Sequence, residues 1–463
     1  MEDWNRKVTI LGLGRSGLAA AKYLSGRGAD VLVSDSAPRD KDNEAAAGEL
    51  DRLGIKSEFG GHSDEAVKRA DVFVVSPGIP PRSAIIKAAR RTGRDVISDI
   101  EVAFRDALCP MIAITGTNGK STTTALTSYI LENAGRKAPA CGNIGTPILS
   151  LLADRPDFLV CEVSSFQLEY SPTFAPFISI WLNLTPDHLD WHANLDEYIK
   201  AKRTMFAHQH IDQYAVLNTD DPIVVTTPTV AEIMPFSVTG ELDDRVQGAY
   251  ISDGFVCCRR NMQDHVLSHV TQLGLKGRHN LENVLAATAA TIIAGADPVV
   301  VDQSLKSFKG LEHRLEFVET VKGIAFYNDS KATNTVSAIK ALEAFPDKKV
   351  VLIAGGKDKG TSLQEFVHVV RNRASAVILI GEATDRFKSE LNRGGVRKIH
   401  TVGSLADAVK LSLELACELD QSPVLFSPAC ASFDMFKNYE ERGRVFKDIV
   451  RERLKEVASS ERH

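Results

Sequence analysis

The chain has 463 residues, of which 44% are hydrophobic and 25% charged, a composition that excludes disordered and fibrous proteins. Its formal net charge of −5 argues against a nucleic-acid-binding protein, which needs a basic surface. Seven scattered cysteines without a C-x-x-C pair favour neither a disulfide framework nor a zinc site, and they fit a reducing cytosol. The longest apolar run falls short of the ~20 residues of a membrane span, so we expect a cytoplasmic protein that is not inserted in a membrane.

Short apolar runs recur along the chain, most of them followed by Gly-rich turns and helix-like periodicity. Runs without polar alternation are typical of parallel strands that are covered on both faces. We therefore predict an α/β protein with three domains: a Rossmann-like domain over 1–98, a central P-loop ATPase domain with a mainly parallel sheet over 99–310, and a Rossmann-like domain over 311–463. The first domain carries three predicted strands, and 225–269 is predicted to be an antiparallel excursion. The predicted strands are 7–13, 30–34, 71–76, 111–115, 157–163, 178–182, 349–354, 375–380 and 424–426.

The first strand ends in a glycine pattern that is typical of dinucleotide-binding proteins. Gly12, Gly14 and Gly17 match G-x-G-x-x-G, and Asp35 closes the second strand. This pattern predicts a ligand with a diphosphate, because the glycines allow the backbone to approach a pyrophosphate. It does not by itself identify NAD, and a tight turn without a ligand stays open. Residues 76–78 follow the third strand and would border the same crevice.

The strongest pattern is Thr115-Gly116-Thr117-Asn118-Gly119-Lys120-Ser121, between a predicted strand and a predicted helix. The amides of such a loop cradle phosphate oxygens at a helix N-terminus. Lys120 can reach the β- and γ-phosphates, and the Ser121 hydroxyl can hold Mg²⁺. The sequence departs from the general pattern at Ile114, where a P-loop has glycine.

Two further side chains lie where a nucleotide-bound metal would need ligands. Glu162 ends the predicted strand 157–163 and His188 follows the next one, at the sheet edge where open α/β sheets bind ligands. Alone, each is more often an ordinary surface or loop residue. In the third domain, 327–334, 355–360 and 427–434 place cations, hydroxyls and an aspartate after apolar strands, as a second half-site for phosphates and a small anionic substrate requires.

Together these motifs resemble the Mur ligase family, whose own form of the P-loop lacks the first glycine. The resemblance rests on 115–121, Glu162, His188, 277–280, 313–314 and 328–334, and within the family 427–439 resembles the member that adds D-glutamate. It implies an ATP- and Mg²⁺-dependent monomeric ligase that joins the carboxylate of UDP-N-acetylmuramoyl-L-alanine to the amine of D-glutamate. The reaction would run through an acyl phosphate, release ADP and phosphate, and serve peptidoglycan precursor synthesis.

The resemblance also implies a role for individual residues. The implied catalytic residues are Lys120, His188, Lys202 and Lys331. The implied ATP-binding residues are Gly116, Thr117, Asn118, Gly119, Lys120, Ser121, Thr122, Asn280, Arg314 and Asp329. The implied contacts to the UDP-substrate are Gly14, Arg15, Ser16, Asp35, Ser76, Gly78 and Asn143, and those to D-glutamate are Thr333, Lys359, Ser432, Phe433 and Tyr439. The implied metal ligands are Ser121, Glu162, His188 and Lys202, the last as a carbamate.

Some alternatives stay open at this stage. Lys200 and Arg203 are close enough to Lys202 that the register of the carbamylated lysine is uncertain, and a solvated helix would explain the spacing as well. Tyr439 stands where the family pattern has Phe. The rival functions are another amino-acid ligase of the family, a nicotinamide-dependent dehydrogenase built on the N-terminal glycines, and a non-catalytic nucleotide-binding protein.

Overall fold

The computed structural model describes residues 2–41, 43–187, 191–240, 242–243, 245–275, 279–345, 348–358 and 360–460. The chain divides into two compact units, Met1–Phe308 and Lys309–His463. The strands of the first unit are β1 Lys7–Leu11, β2 Asp30–Asp35, β3 Lys56–Phe59, β4 Val72–Val75, β5 Asp95–Ser98, β6 Met111–Thr115, β7 Ala140–Gly142, β8 Leu159–Glu162, β9 Ile178–Trp181, β10 Tyr214–Asn218, β11 Glu232–Ser237, β12 Gly248–Ser252, β13 Phe255–Arg260 and β14 Gln263–His269. Its α-helices are α1 Arg15–Gly26, α2 Glu44–Arg52, α3 Asp64–Arg69, α4 Ala84–Arg91, α5 Asp99–Asp106, α6 Lys120–Asn133, α7 Ser165–Leu168, α8 Leu195–Ala207, α9 His279–Ile293 and α10 Pro298–Ser307.

The second unit contains six strands and five helices among its described residues. Its strands are β15 Glu316–Val321, β16 Ile324–Asn328, β17 Val350–Gly355, β18 Ala374–Ile380, β19 Ile399–Thr401 and β20 Val424–Phe426. Its helices are α11 Thr335–Glu343, α12 Gln364–Arg373, α13 Thr384–Arg393, α14 Leu405–Glu418 and α15 Tyr439–Ser460.

The N-terminal sheet is fully parallel, with strand order β3-β2-β1-β4-β5. The strand order reverses between β1 and β4, so a crevice forms beyond the carboxyl ends of these strands. The prediction of three strands in this domain was wrong, because β3 and β5 are also present. Both are edge strands, and their sequences KSEF and DVIS mix polar with apolar residues, so they lack the continuous apolar run of a strand buried on both faces.

The central sheet has nine strands in the order β14-β13-β12-β11-β10-β9-β6-β8-β7. Every residue of β6 is buried, and alternate residues of this strand belong to two separate hydrophobic cores on the two faces of the sheet. This double coverage explains why β6 is apolar throughout. The predicted antiparallel excursion is only partly present, because β11 and β12 pair in parallel and the antiparallel pairs are β12 with β13 and β13 with β14.

The sheet of the second unit has the order β15-β16-β20-β17-β18-β19 and is parallel except for the pair β15 and β16. Apolar cores cover both of its faces. The carboxyl ends of β16, β20 and β17 are neighbours, which brings the loops after these three strands together. The chain is thus an α/β protein with mainly parallel sheets, as predicted. Within the described ranges, none of the helices has the length and apolar character to cross a membrane.

Candidate functional site

The loop between β6 and α6 has the geometry of a phosphate cradle. Gly116 and Gly119 both adopt positive φ angles, +154° and +82°, which glycine tolerates without strain. A Cβ atom on Gly119 would lie 2.1 Å from Oδ1 of Asn283, so the close packing of this loop on α9 also requires glycine. Gly119 precedes α6 and offers no capping side chain, so the first amides of the helix are left to bind an anion.

Lys120 folds back over this loop. Its ammonium donates hydrogen bonds to the carbonyl oxygens of Gly116 and Thr117, both at 2.9 Å. The backbone amide of Asn118 donates to Oδ1 of Asn183 at 2.9 Å, which holds the middle of the loop. Ser121 is buried in the first turn of α6. The structure therefore keeps a positive charge beside the amides that a polyphosphate would contact.

Glu162 offers a buried oxygen that suits a metal ion. The residue ends β8, which pairs with β6 so that Glu162 lies opposite Ile114. Its Oε1 accepts a hydrogen bond from Nδ2 of Asn143 at 2.8 Å, whereas Oε2 is buried without a hydrogen-bond partner among the described residues. A buried carboxylate oxygen without a partner is costly, and a hard divalent cation would satisfy it. Glu162 and the Ser121 hydroxyl thus fit Mg²⁺, while His188 lies outside the described residues.

Lys202 points from α8 to the base of the same loop. It is 1% exposed, and its Nζ donates to the Gly116 carbonyl oxygen at 3.0 Å and to Thr115 Oγ1 at 3.3 Å. Burial, with a further contribution from the nearby Lys120 charge, holds the pKa of Lys202 well below its usual range. Lys200 on the same helix is exposed. Of these two lysines, Lys202 is therefore the one that faces the phosphate loop.

Most of the residues predicted to contact the UDP-substrate follow β1, β2 and β4, at the crevice of the N-terminal sheet. A Cβ atom on Gly17 would lie 2.0 Å from the Gly12 carbonyl oxygen, so the turn requires glycine there. The Leu13 amide donates to Oδ2 of Asp35 at 2.5 Å, and Oγ of Ser76 donates to the Gly12 carbonyl oxygen at 3.0 Å. The structure thereby brings the glycine turn, Asp35 and the loop after β4, with Ser76 and Gly78, into one place.

Asn143 and Arg15, also predicted to contact the UDP-substrate, form hydrogen bonds in and around the loop after β7. The side chain of Asn143 bonds to the candidate metal ligand Glu162, and Nη2 of Arg15 donates to the Gly145 carbonyl oxygen at 2.6 Å. The loop after β7 therefore connects the N-terminal turn to the surroundings of Glu162.

In the second unit, Asp329 lies at the end of β16 and faces β20. Its Oδ2 accepts a hydrogen bond from Ser427 Oγ at 2.7 Å, and its Oδ1 accepts one from the Leu315 amide at 3.2 Å. Burial raises the pKa of Asp329 to about 7, because the low-dielectric interior disfavours the charged form. The two hydrogen bonds and the nearby Arg314 and Arg442 charges oppose this effect.

This raised pKa predicts a pH-dependent stability that Asp329→Asn should remove. The folded protein holds the proton more tightly than the unfolded chain, so this carboxyl should lower wild-type stability as the pH rises from about 4 to 7, by on the order of 4 kcal/mol in full. Urea denaturation at several pH values should show that the free energy of unfolding of Asp329→Asn rises relative to that of the wild type as the pH increases over this range. Asp385→Asn, on the exposed side of α13, serves as the control. Parallel pH profiles of wild type and Asp329→Asn would contradict the assignment.

Sequence reasoning missed Arg442, which organises the loops after β16 and β20. This arginine is fully buried and donates to Ser330 Oγ at 3.0 Å, to the Ser330 carbonyl oxygen at 2.8 Å and to the Cys430 carbonyl oxygen at 3.0 Å. Burial lowers its pKa to about 10. In the sequence it looks like one of many charged residues of the amphipathic helix α15, and no pattern marks it as buried.

The predicted D-glutamate residues lie around these two loops. Ser432 is buried, whereas Phe433 is 67% exposed. Tyr439 begins α15, and its carbonyl oxygen accepts a hydrogen bond from Ser330 Oγ at 2.8 Å. Lys331 and Thr333 follow β16 and are half-buried, while Lys359 lies outside the described residues. Two of the predicted ATP-binding residues lie in different units. Arg314 is exposed in the second unit. In the first unit, Oδ1 of Asn280 accepts a hydrogen bond from Asn283 at 3.0 Å.

Comparison with known proteins identifies three consecutive family models in the chain. Residues 6–98 match the Mur ligase MurD-like N-terminal domain, residues 114–291 match the Mur ligase middle domain, and residues 313–430 match the Mur ligase glutamate ligase domain. The UDP-N-acetylmuramoylalanine–D-glutamate ligase of Geotalea daltonii is 42% identical over 97% of this chain and 98% of its own length. The enzyme of the same name from a Thermoanaerobacter species is 41% identical over 98% of this chain and 99% of its own length.

The chain belongs to the Mur ligase family. The resemblance inferred from the motifs is thereby confirmed, as is the α/β architecture with three domains of Mur ligase type. Solved Mur ligase structures share the fold: MurC from Thermotoga maritima has a TM-score of 0.54 at 19% identity, covering 96% of this chain and 99% of that one. MurF from Acinetobacter baumannii has a TM-score of 0.54 at 15% identity, covering 91% and 90%. The domain limits 1–98, 99–310 and 311–463 and the roles of the individual Mur ligase site residues stay predictions.

Proposed function

We propose that this chain is the ligase that joins the carboxylate of UDP-N-acetylmuramoyl-L-alanine to the amine of D-glutamate in peptidoglycan precursor synthesis, with conversion of ATP to ADP and phosphate. The observation that carries the proposal is the identity of about 42% with ligases of that name over nearly the whole chain. The phosphate cradle and the buried oxygen of Glu162 support it independently. Monomeric state and cytoplasmic location stay predictions.

The chemistry follows from the low reactivity of a carboxylate toward an amine. A carboxylate oxygen of the UDP-substrate attacks the γ-phosphorus of ATP, the bond from this phosphorus to the oxygen bridging it to the β-phosphorus breaks, and ADP leaves. The amine of D-glutamate then attacks the carbonyl carbon of the acyl phosphate. The tetrahedral intermediate collapses, phosphate leaves and the amine loses its proton. Phosphoryl transfer of this kind depends mainly on positioning and on neutralisation of charge.

The residues of the first unit would supply this neutralisation. The amides at the start of α6 and the ammonium of Lys120 are placed to hold the β- and γ-phosphates of ATP. Ser121 and Glu162 would hold Mg²⁺, which when bound neutralises phosphate charge. The crevice of the N-terminal sheet would hold the UDP end of the acceptor.

The proposed activity is tested by a phosphate-release assay with a panel of amino acids. The wild-type chain with ATP and Mg²⁺ should release phosphate only when UDP-N-acetylmuramoyl-L-alanine and D-glutamate are both present. L-glutamate, L-alanine and meso-diaminopimelate serve as matched amino acids. Turnover with one of these instead of D-glutamate would indicate another Mur ligase specificity. Tight binding of NAD in place of ATP would favour the dehydrogenase alternative.

We further propose that Lys202 carries a carbamate, as the resemblance implies. An uncharged amine is the form that reacts with carbon dioxide, and burial lowers the pKa of Lys202. The resulting anion would lie beside Thr115 and Gly116, at the base of the phosphate loop.

This assignment predicts that Lys202→Ala loses most of the activity, on the order of 100-fold, and that Lys200→Ala keeps it. A carbamate resonance should appear in ¹³C NMR spectra of the wild type in labelled bicarbonate and of Lys200→Ala, and it should be absent from Lys202→Ala. The same resonance in spectra of Lys202→Ala would place the carbamate elsewhere.

A further inference from the structure

A buried aspartate lies between the N-terminal turn and the loop that follows Glu162. Asp99 is the first residue of α5, directly after β5, and is 3% exposed. Burial raises its pKa, so its retention in the interior needs polar partners. No role in the proposed reaction requires this carboxyl.

The partners of Asp99 come from two different helices, α1 and α7. On one side, the Ser16 side chain, in the first turn of α1, lies close enough to the carboxylate to oppose this rise in its pKa. The same helix bonds to α5 where the Tyr23 hydroxyl donates to Oδ2 of Asp106 at 2.7 Å. On the other side, Nε2 of Gln167 donates to Oδ1 of Asp99 at 3.2 Å. Oε1 of Gln167 in turn accepts from the amide and the hydroxyl of Ser164, at 3.1 and 3.0 Å. Ser164 comes two residues after Glu162, so hydrogen bonds run from Asp99 to the loop beyond the candidate metal ligand, and Ser16 of the predicted UDP turn lies beside Asp99.

The start of α5 is also bonded to the segment that follows α7. Oγ of Ser98 lies 2.7 Å from Oγ of Ser171, and the Ser98 amide donates to the Tyr170 carbonyl oxygen at 2.7 Å. Gln167, which bonds to Asp99, also forms a capping box with Ser164 at the start of α7. A shift of the N-terminal turn at Ser16 would therefore pass through Asp99 to α7 rather than be absorbed by a loose loop.

We propose that Asp99 is a positioning residue that couples the turn predicted to bind the UDP-substrate to the loop after Glu162, so that this substrate and Mg²⁺-ATP each bind more tightly when the other is present. The inference rests on the proposed function. It adds a coupling between two ligand sites, which has to be equal in both directions.

The test is calorimetric titration of the full chain with UDP-N-acetylmuramoyl-L-alanine, with and without Mg²⁺ and a non-hydrolysable ATP analogue. The wild type should bind the UDP-substrate at least about 5-fold more tightly in the presence of the analogue, and Asp99→Ala should reduce this ratio to below about 2-fold. Asp99→Asn keeps an oxygen for Gln167 and a polar group for Ser16, so it should keep the ratio within about 2-fold of the wild type. Asp95→Ala, on β5 with a half-exposed side chain that pairs with Arg105, is the matched control.

A second variant guards against failure of Asp99→Ala to fold. Ser16→Ala changes the other end of the same connection, at a half-buried position. Whatever it does to each dissociation constant of the UDP-substrate, it should lower the ratio of the constant measured without the ATP analogue to the constant measured with it. A wild type without coupling, or full coupling in Asp99→Ala or in a folded Ser16→Ala, would overturn the proposal. Loss of coupling in Asp95→Ala would also overturn it. If the wild type binds neither ligand, the proposed function itself fails.

Discussion

Substitution of Lys120 by alanine is expected to lower ATP-dependent phosphate release by on the order of 10³-fold. The Lys120 ammonium lies at the phosphate loop, bonded to two of its carbonyl oxygens. In the proposed reaction this cation neutralises the charge that develops on the γ-phosphate. The loss should appear mainly in kcat, because charge builds up in the transition state. Steady-state kinetics with saturating UDP-substrate and D-glutamate measures the effect.

The control for Lys120→Ala separates catalysis from folding. Lys120 is half-buried and donates to carbonyl oxygens, so its removal should change the melting temperature little. Lys137→Ala removes an exposed lysine beyond the end of α6 and should leave turnover unchanged. A folded Lys120→Ala chain with wild-type turnover would revive the alternative of a nucleotide-binding protein that does not catalyse the reaction.

Glu162→Gln is expected to combine a large loss of activity with unchanged or higher stability of the ligand-free protein. Oε2 of Glu162 is buried without a hydrogen-bond partner among the described residues, and an amide in its place removes the cost of burying the charge. The retained oxygen can still accept from Asn143. Because the variant lacks the proposed anionic metal ligand, turnover should fall by about 10²-fold or more, and added Mg²⁺-ATP should raise the melting temperature less than in the wild type.

Thermal melting with and without Mg²⁺-ATP tests both halves of this prediction. Glu132→Gln, an exposed residue of α6, should behave as the wild type in both measurements. A Glu162→Gln chain that is stabilised by Mg²⁺-ATP as strongly as the wild type would show that Glu162 is not a metal ligand.

The sequence predicted best the strands that are covered on both faces of the sheet. Strands such as β6 and β17 are covered on both faces, so their burial appears as an unbroken apolar run. Edge strands such as β3 did not stand out, because one side of the strand is unpaired and its residues are mixed. The glycines of the two phosphate-type turns were also evident, because positive φ angles and close backbone packing demand glycine at Gly12 and Gly119.

The sequence could not predict which charged residues are buried, because their burial depends on which segments of the chain pack against each other. Asp99, Lys202 and Arg442 are all buried, yet each occurs in a helix with other charged residues and carries no local sign of burial. Their neighbours, Gln167 for Asp99, Gly116 for Lys202 and Cys430 for Arg442, are 68, 86 and 12 positions away.

The amino-acid sequence by itself determined the α/β class, the phosphate loop and the family, since these depend on local patterns: apolar runs, glycine spacing and a lysine at a helix start. Tertiary structure alone decided which of the neighbouring lysines on α8 faces that loop, and that one oxygen of Glu162 is left without a partner. It also decided that Asn143 bonds to Glu162. The physical reason is that burial and desolvation are set by contacts between segments far apart in the chain, and they, rather than residue type, determine the chemistry of a charged group.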